Sequence, residues 1–66
     1  MKQGEIYYNT SINLYYVIID VNLMDNKFDY LIFNGFKTNH DFRGDGTMNY
    51  KDFKNRDDLV QVGGIY

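Results

Sequence analysis

The chain contains no cysteine, no proline and no tryptophan; it also lacks alanine and has a single glutamate, Glu5. Each absence excludes something. Without cysteine there is no disulfide framework, and no thiolate for a nucleophile or a zinc centre. Without alanine, and with only four leucines (14, 23, 31 and 59), strong helix formers are scarce. No long apolar run exists: the longest, Leu14–Ile19, is far too short to span a membrane as a helix. Sixty-six residues cannot build the layers of an ordinary dehydrogenase, kinase or hydrolase, so one small domain over residues 1–66 is expected. A positive balance of charge is also missing, since seven Lys and Arg face nine Asp and Glu for a net charge of −2.

What is present favours sheet. Val, Ile, Thr, Tyr and Phe make up 25 of the 66 residues, and these types suit a pleated, half-buried surface. Asn and Asp, eight of each, are the types that populate turns and caps. Residues with AT-rich codons (Phe, Tyr, Met, Ile, Asn, Lys) number 34, against 8 for Gly, Ala, Arg and Pro. That imbalance points to an AT-rich genome, such as a low-GC bacterium or a phage or mobile element within one.

Along the chain, Gly4-Glu5-Ile6-Tyr7-Tyr8 reads as a first strand, followed by a polar turn over residues 9–13. Tyr15–Val21 (YYVIIDV) is the strongest strand signal, and Phe28–Asn34 (FDYLIFN) forms an antiparallel hairpin with it. Between them Asp25-Asn26 tolerates left-handed backbone. Pairing Val21 with Phe28 sets Val17, Ile19 and Val21 beside Phe28, Tyr30 and Ile32 on one face. Tyr16, Ile18 and Asp20 then share the other with Asp29, Leu31 and Phe33. Both faces are largely apolar, so each needs a cover, either the C-terminal segment or another chain. A one-residue slip would reverse one strand.

Residues 36–47 read as a long polar loop. Asn49 is placed to cap a helix over Tyr50–Asp58, with Asp52 in its first turn and Met48 and Phe53 as a hydrophobic staple. Leu59-Val60-Gln61-Val62 is a last strand, and Gly63-Gly64-Ile65-Tyr66 a tail with apolar ends. The Gly4-Glu5-Ile6-Tyr7 start, the YYVIIDV strand and the closing Asp58-Leu59-Val60-Gln61-Val62-Gly63 resemble those of SH3-like small β-barrel proteins. In size and composition the chain also resembles short orphan proteins of phages and prophages of low-GC bacteria. The fold class expected is therefore all-β and mostly antiparallel, a small barrel of four to five strands with one short helix near residues 50–58.

Chemistry-bearing motifs are few. Asp41, Arg43, Asp45, Gly46, Asn49 and Asp52 fall at positions 1, 3, 5, 6, 9 and 12 of a loop similar to the calcium-binding EF-hand. Arg43 puts a cation where an oxygen ligand belongs, Asp52 is shorter than the usual Glu, and the preceding segment reads as strand. The same letters describe a turn and a helix cap. His40 is the only histidine and Ser11 the only serine, so neither a zinc site nor a catalytic triad is marked. The pairs Asp57-Asp58 and Asp20/Asp29 read as a solvated face and a hairpin end. Neither enzymatic activity nor a cofactor is expected.

Twelve aromatic residues exceed the needs of so small a core. Phe28, Tyr30 and Phe53 are assigned to that core. Tyr7, Tyr8, Tyr16, Ile18, Leu31 and Phe33 are the candidate partner-binding residues, because Tyr offers apolar area with a hydroxyl for the rim. The expected function is a protein-binding module, in its most specific form a phage or mobile-element inhibitor that occludes a bacterial host protein, such as one of a defence system. Self-association as a homo-oligomer is expected for an unstapled core of this size. A small barrel can alternatively stack single-stranded nucleic acid on its aromatics, but carboxylates interleave with Lys37, Arg43, Lys51, Lys54 and Arg56 and cancel the potential phosphate requires. The first residues carry no apolar leader, so residence in the cytoplasm of the host cell is expected.

Overall fold

The computed structural model describes residues 1–64; the tail residues Ile65 and Tyr66 lie outside the described residues. The elements are β1 (Ile6–Asn9), β2 (Leu14–Asn22), β3 (Lys27–Phe33), a 3₁₀ turn (Asn39–Asp41), β4 (Phe42–Asn49), α1 (Tyr50–Lys54) and β5 (Leu59–Gly63). The strands form one antiparallel sheet in the order β4-β3-β2-β1-β5. The all-β class with one short helix holds. The barrel does not close, because β4 and β5 remain the two edges of the sheet. The chain crosses from one edge to the other through α1, whose Tyr50 and Phe53 pack against the core.

Asparagines make the turns. Asn9 is 1% exposed, and its Oδ1 accepts from the amides of Ser11 (2.9 Å) and Ile12 (3.4 Å) while its Nδ2 donates to the Tyr16 hydroxyl. Asn22 does the same at the next hairpin, accepting from Met24 and Asp25. Asn13 and Asn26 take the left-handed conformations (φ 59° and 54°) that end each turn, which Asn tolerates better than most residues.

The hairpin pairing begins as its sequence suggests, with Val21 opposite Phe28 and Asp20 opposite Asp29. Ile19 is then left without a partner. Upstream of this bulge the register moves by one, so that Ile18 faces Tyr30, Val17 faces Leu31 and Tyr16 faces Ile32. The bulge turns Tyr16 and Ile18 inward and Tyr15 and Val17 outward. The core is accordingly Tyr7, Tyr16, Ile18 and Phe28, ringed by Val21, Tyr30, Ile32, Met48, Tyr50, Phe53 and Leu59 among others. Phe53 meets Tyr7 and Phe28 edge-on at 5.2 and 5.5 Å.

Residues 42–49 are a strand rather than part of a loop. Their side chains alternate, with Gly44, Gly46 and Met48 half-buried and Arg43, Asp45, Thr47 and Asn49 exposed. Polar residues and glycines suit an edge strand, which needs only one partner. Gly46 is required where it stands. A Cβ there would lie 2.7 Å from the hydroxyl oxygen and 2.8 Å from Cζ of Tyr30. That ring cannot easily withdraw, because it stacks on Tyr16 at 4.7 Å. Gly46→Ala is expected to cost about 1–3 kcal/mol through this overlap, measured by urea unfolding.

The Asn49 cap is as expected, its Oδ1 accepting from the amides of Lys51 (2.8 Å) and Asp52 (3.3 Å). The helix is shorter than Tyr50–Asp58. It ends at Lys54 because residues 56–58 are committed elsewhere: Arg56 donates two hydrogen bonds to the Asp58 carboxylate (2.9 and 2.8 Å), and the Asp58 carbonyl accepts from Thr10 (2.8 Å) at the start of β5.

Three carboxylates titrate below their ordinary range. Arg56 holds Asp58 down to about 2. Glu5, buried just before β1, is lowered first by the Lys2 amide and also by Tyr7 and Gln61. Asp41 is lowered by the amides of Thr38 and Lys37. The unfolded chain binds these protons more readily, so their stabilisation is complete above the ordinary carboxylate range and is lost as pH falls toward 2. The melting temperature should therefore hold from neutral pH down to about 5 and decline below it.

Candidate functional site: an open aromatic face

Directly paired residues of an antiparallel sheet share a face, so the pairings define the side opposite the core. One row runs across all five strands as Val60, Tyr8, Tyr15, Phe33 and Phe42. The next is Ile6, Val17, Leu31 and Asp45, and beyond it Asp20, Asp29 and Thr47 end the strands. Phe36 folds back from the segment after β3 onto the first row. The rings make a continuous chain: Tyr8–Tyr15 at 4.9 Å, Tyr15–Phe36 at 5.0 Å, Phe36–Phe33 at 5.4 Å and Phe33–Phe42 at 5.6 Å.

None of these rings is fully buried. Tyr8, Tyr15 and Phe33 are half-buried, whereas Phe36 and Phe42 are 54% and 48% exposed. Val60 and Val62 on the β5 edge are about as open. No described element covers this side of the sheet. A contiguous apolar surface differs from scattered exposed residues, which need no explanation.

The segment carrying Phe36 is firmly built. Asp41 Oδ2 accepts from the amides of Lys37 (2.9 Å) and Thr38 (3.0 Å), its carbonyl accepts from Asn34 (2.7 Å), and Thr38 caps the 3₁₀ turn in return. Phe36 is thereby placed over Tyr15 before any partner arrives, which lowers the ordering cost of binding. Asp20 and Asp29 lie toward the β2–β3 turn together with Lys27, Asp45 lies in the middle row opposite Leu31, and Lys37 and Arg43 lie toward the opposite, aromatic end beside Asp41. Among the described residues the only ion pair is Arg56–Asp58; Asp29 accepts from the Thr47 hydroxyl (2.7 Å) and Arg43 donates to the His40 carbonyl (2.9 Å).

The six expected binding residues do not come together. Tyr8, Leu31 and Phe33 lie on the open face. Tyr7, Tyr16 and Ile18 are 9%, 7% and 1% exposed and belong to the core. Tyr7 and Tyr8 are adjacent in one strand and must face opposite ways; Tyr16 and Ile18 are turned inward by the Ile19 bulge. Tyr15, Val17, Phe36, Phe42 and Val60 complete the face and were not singled out. Strand alternation from Tyr8 through its partner could have found Tyr15, whereas nothing local marks Phe36.

The EF-hand-like spacing does not wrap into a loop, because residues 42–49 are extended and pair with β3. Among the described residues no three His, Asp or Glu side chains converge as metal ligands. His40 is exposed in the 3₁₀ turn and Ser11 is exposed in the β1–β2 turn. No described helix is long and apolar enough to cross a membrane. No protein-family model, curated protein or solved structure matches the chain.

Proposed function

We propose that this chain is a protein-binding module with no chemistry of its own, and that the open face of its sheet is the docking surface. The observation that carries the reading is the unbroken line of rings from Tyr8 to Phe42, half in water, with the Phe36 segment tied down by Asp41. Aromatic anchors at the centre of a docking patch dominate interface energies. Asp20, Asp29 and Asp45 supply a polar rim on one side. In its most specific form, supported by AT-rich codon usage and small size, the module is a phage or mobile-element product that acts by occlusion. It would cover a surface of a bacterial host protein, for instance one involved in defence.

Stacking of single-stranded nucleic acid is the second reading, favoured by the same row of rings and by Lys37 and Arg43 at its end. Three carboxylates on the face and a net charge of −2 oppose it. The test is affinity capture from a low-GC bacterial lysate with the wild type and with Phe36→Ser/Phe42→Ser, followed by reconstitution with the purified captured protein. The reading predicts a defined protein that binds the wild type and loses at least about tenfold in affinity for the variant. Equal binding to both would remove the face as the docking site. Retention of a single-stranded oligonucleotide that weakens steeply with salt would favour the second reading.

A further inference from the structure

We propose that Asn34-Gly35 is a self-modification site, where the folded chain slowly converts Asn34 to aspartyl and isoaspartyl and so loosens Phe36 from Tyr15. The reaction is spontaneous deamidation, with water as its only co-reactant. Gly35 is the only glycine that follows an asparagine in this sequence. Without a Cβ to crowd its nitrogen or restrict its backbone, it lets that nitrogen approach the preceding side chain more easily than any other residue would. The structure leaves both reacting groups free. Asn34 is exposed directly after β3, and no hydrogen bond to a described residue engages its carboxamide or the Gly35 amide.

The other asparagines are placed differently. The carboxamides of Asn9, Asn13, Asn22 and Asn49 are hydrogen-bonded. Asn39 and Asn55 precede residues whose amides are already donated, to the Thr38 hydroxyl and the Phe53 carbonyl. Asn26 precedes Lys27, which is paired on both sides within the sheet. Asp45-Gly46 offers a related reaction by loss of water, but it is held extended in β4 opposite Leu31 and Tyr30.

In the reaction the Gly35 nitrogen gives its proton to water or hydroxide and attacks Cγ of Asn34. The N–Cγ bond forms and the Cγ–Nδ2 bond breaks, and Nδ2 takes up a proton and leaves as ammonia. Water then opens the cyclic imide at either carbonyl. Opening at Cγ gives aspartyl; opening at the main-chain carbonyl gives isoaspartyl, in which the chain runs through Cβ and Cγ. No electrons are gained or lost.

The position gives the modification its effect. Asn34 links Phe33 to the segment that lays Phe36 on Tyr15, and its amide donates to the Asp41 carbonyl (2.7 Å). Isoaspartyl lengthens this link by one methylene, about 1.5 Å. It also sets a carboxylate beside Gly35, where a Cβ would lie 3.5 Å from Asp41 Oδ2. The new charge repels the carboxylate that holds the Lys37 and Thr38 amides. For the docking reading, the aromatic face becomes a surface that ages; the modification itself does not rest on that reading.

The test holds the full chain at mildly alkaline pH and physiological temperature and follows tryptic peptides by mass spectrometry, with electron-transfer fragmentation to separate isoaspartyl from aspartyl. The peptide over residues 28–37 has Asn34 as its only asparagine. It should gain about 1 Da, at least about tenfold faster than any other asparagine-bearing peptide. Gly35 has no left-handed φ and a Cβ there makes only ordinary contacts, so Gly35→Ala should fold. It should slow the reaction at least about tenfold. In the purified isoaspartyl form, hydroxyl-radical footprinting should find Tyr15 more reactive than in the fresh chain. No mass gain at Asn34, a rate shared with the other asparagines, or a rate unchanged by Gly35→Ala overturns the proposal. So does an isoaspartyl form in which Tyr15 is no more reactive than before. None of these measurements involves a partner, so their failure leaves the docking reading to its own test.

Discussion

Phe28→Ala is expected to leave the chain largely unfolded at room temperature. Phe28 is 2% exposed and lies at the meeting point of the sheet and α1, with Phe53 at 5.5 Å and Tyr50 and Tyr30 each at 6.1 Å. Removing a buried phenyl ring costs about 3–5 kcal/mol, from lost burial and from the cavity left behind. A domain of this size has roughly 3–10 kcal/mol in total. Among the described residues only four hydrophobic side chains are buried, all in one cluster, so no second cluster compensates. Circular dichroism and urea unfolding should show the cooperative transition lost or displaced to very low denaturant. Phe28→Leu, which keeps most of the volume, should fold with a smaller deficit.

Phe36→Ser/Phe42→Ser is expected to do the reverse, keeping the fold and losing association. Both rings already stand about half in water, so their truncation forfeits only part of their burial and the contacts with Tyr15 and Phe33. The loss of stability should be about 1–2 kcal/mol for the pair, measured by urea unfolding at high dilution. Against a partner the same two rings act as anchors. Truncating one typically costs about 2 kcal/mol or more of binding energy, close to thirtyfold in affinity. The contrast between Phe28 and this pair separates a residue that folds the chain from residues that the fold displays.

Much of this architecture is legible in the residues. The YYVIIDV and FDYLIFN segments mark the central hairpin, Asp25-Asn26 marks its turn, and Asn49 marks the start of α1. The assignment of Phe28, Tyr30 and Phe53 to the core holds, and Leu31 and Phe33 lie on the opposite face. Two features are hidden, and both concern edges or irregularities. Ile18 and Ile19 are equally apolar, so hydrophobic alternation cannot reveal that Ile19 is an extra residue in its strand. That single bulge exchanges Tyr16 and Ile18 for Tyr15 and Val17 on the open face. β4 is concealed by its Gly44-Asp45-Gly46 centre, which has the letters of a turn. It is held as a strand by backbone pairing with β3 and by the need for a glycine beneath Tyr30.

The candidate site shares this division. The surplus of aromatic residues is visible in composition, and the need for a cover on both faces follows from the apolar hairpin. Which rings stand outside depends on register, and register depends on a bulge and on an edge strand without apolar periodicity. Phe36 depends on the Asp41 loop, a tertiary arrangement of backbone amides around one carboxylate.

The central claim is that one face of the sheet folds the protein and the other receives a partner. Hydroxyl-radical footprinting, read residue by residue, tests it most directly by comparing the chain at high dilution with its associated form. The account predicts that Phe36 and Phe42 are modified readily, and Tyr8 and Tyr15 to a lesser degree, in the dilute chain, and that all four become protected on association. Tyr7, Tyr16 and Phe28 should be protected in both states. Strong modification of Tyr7 and Tyr16 in the dilute folded chain, or an associated form in which Phe36 and Phe42 stay as reactive as before, would contradict it.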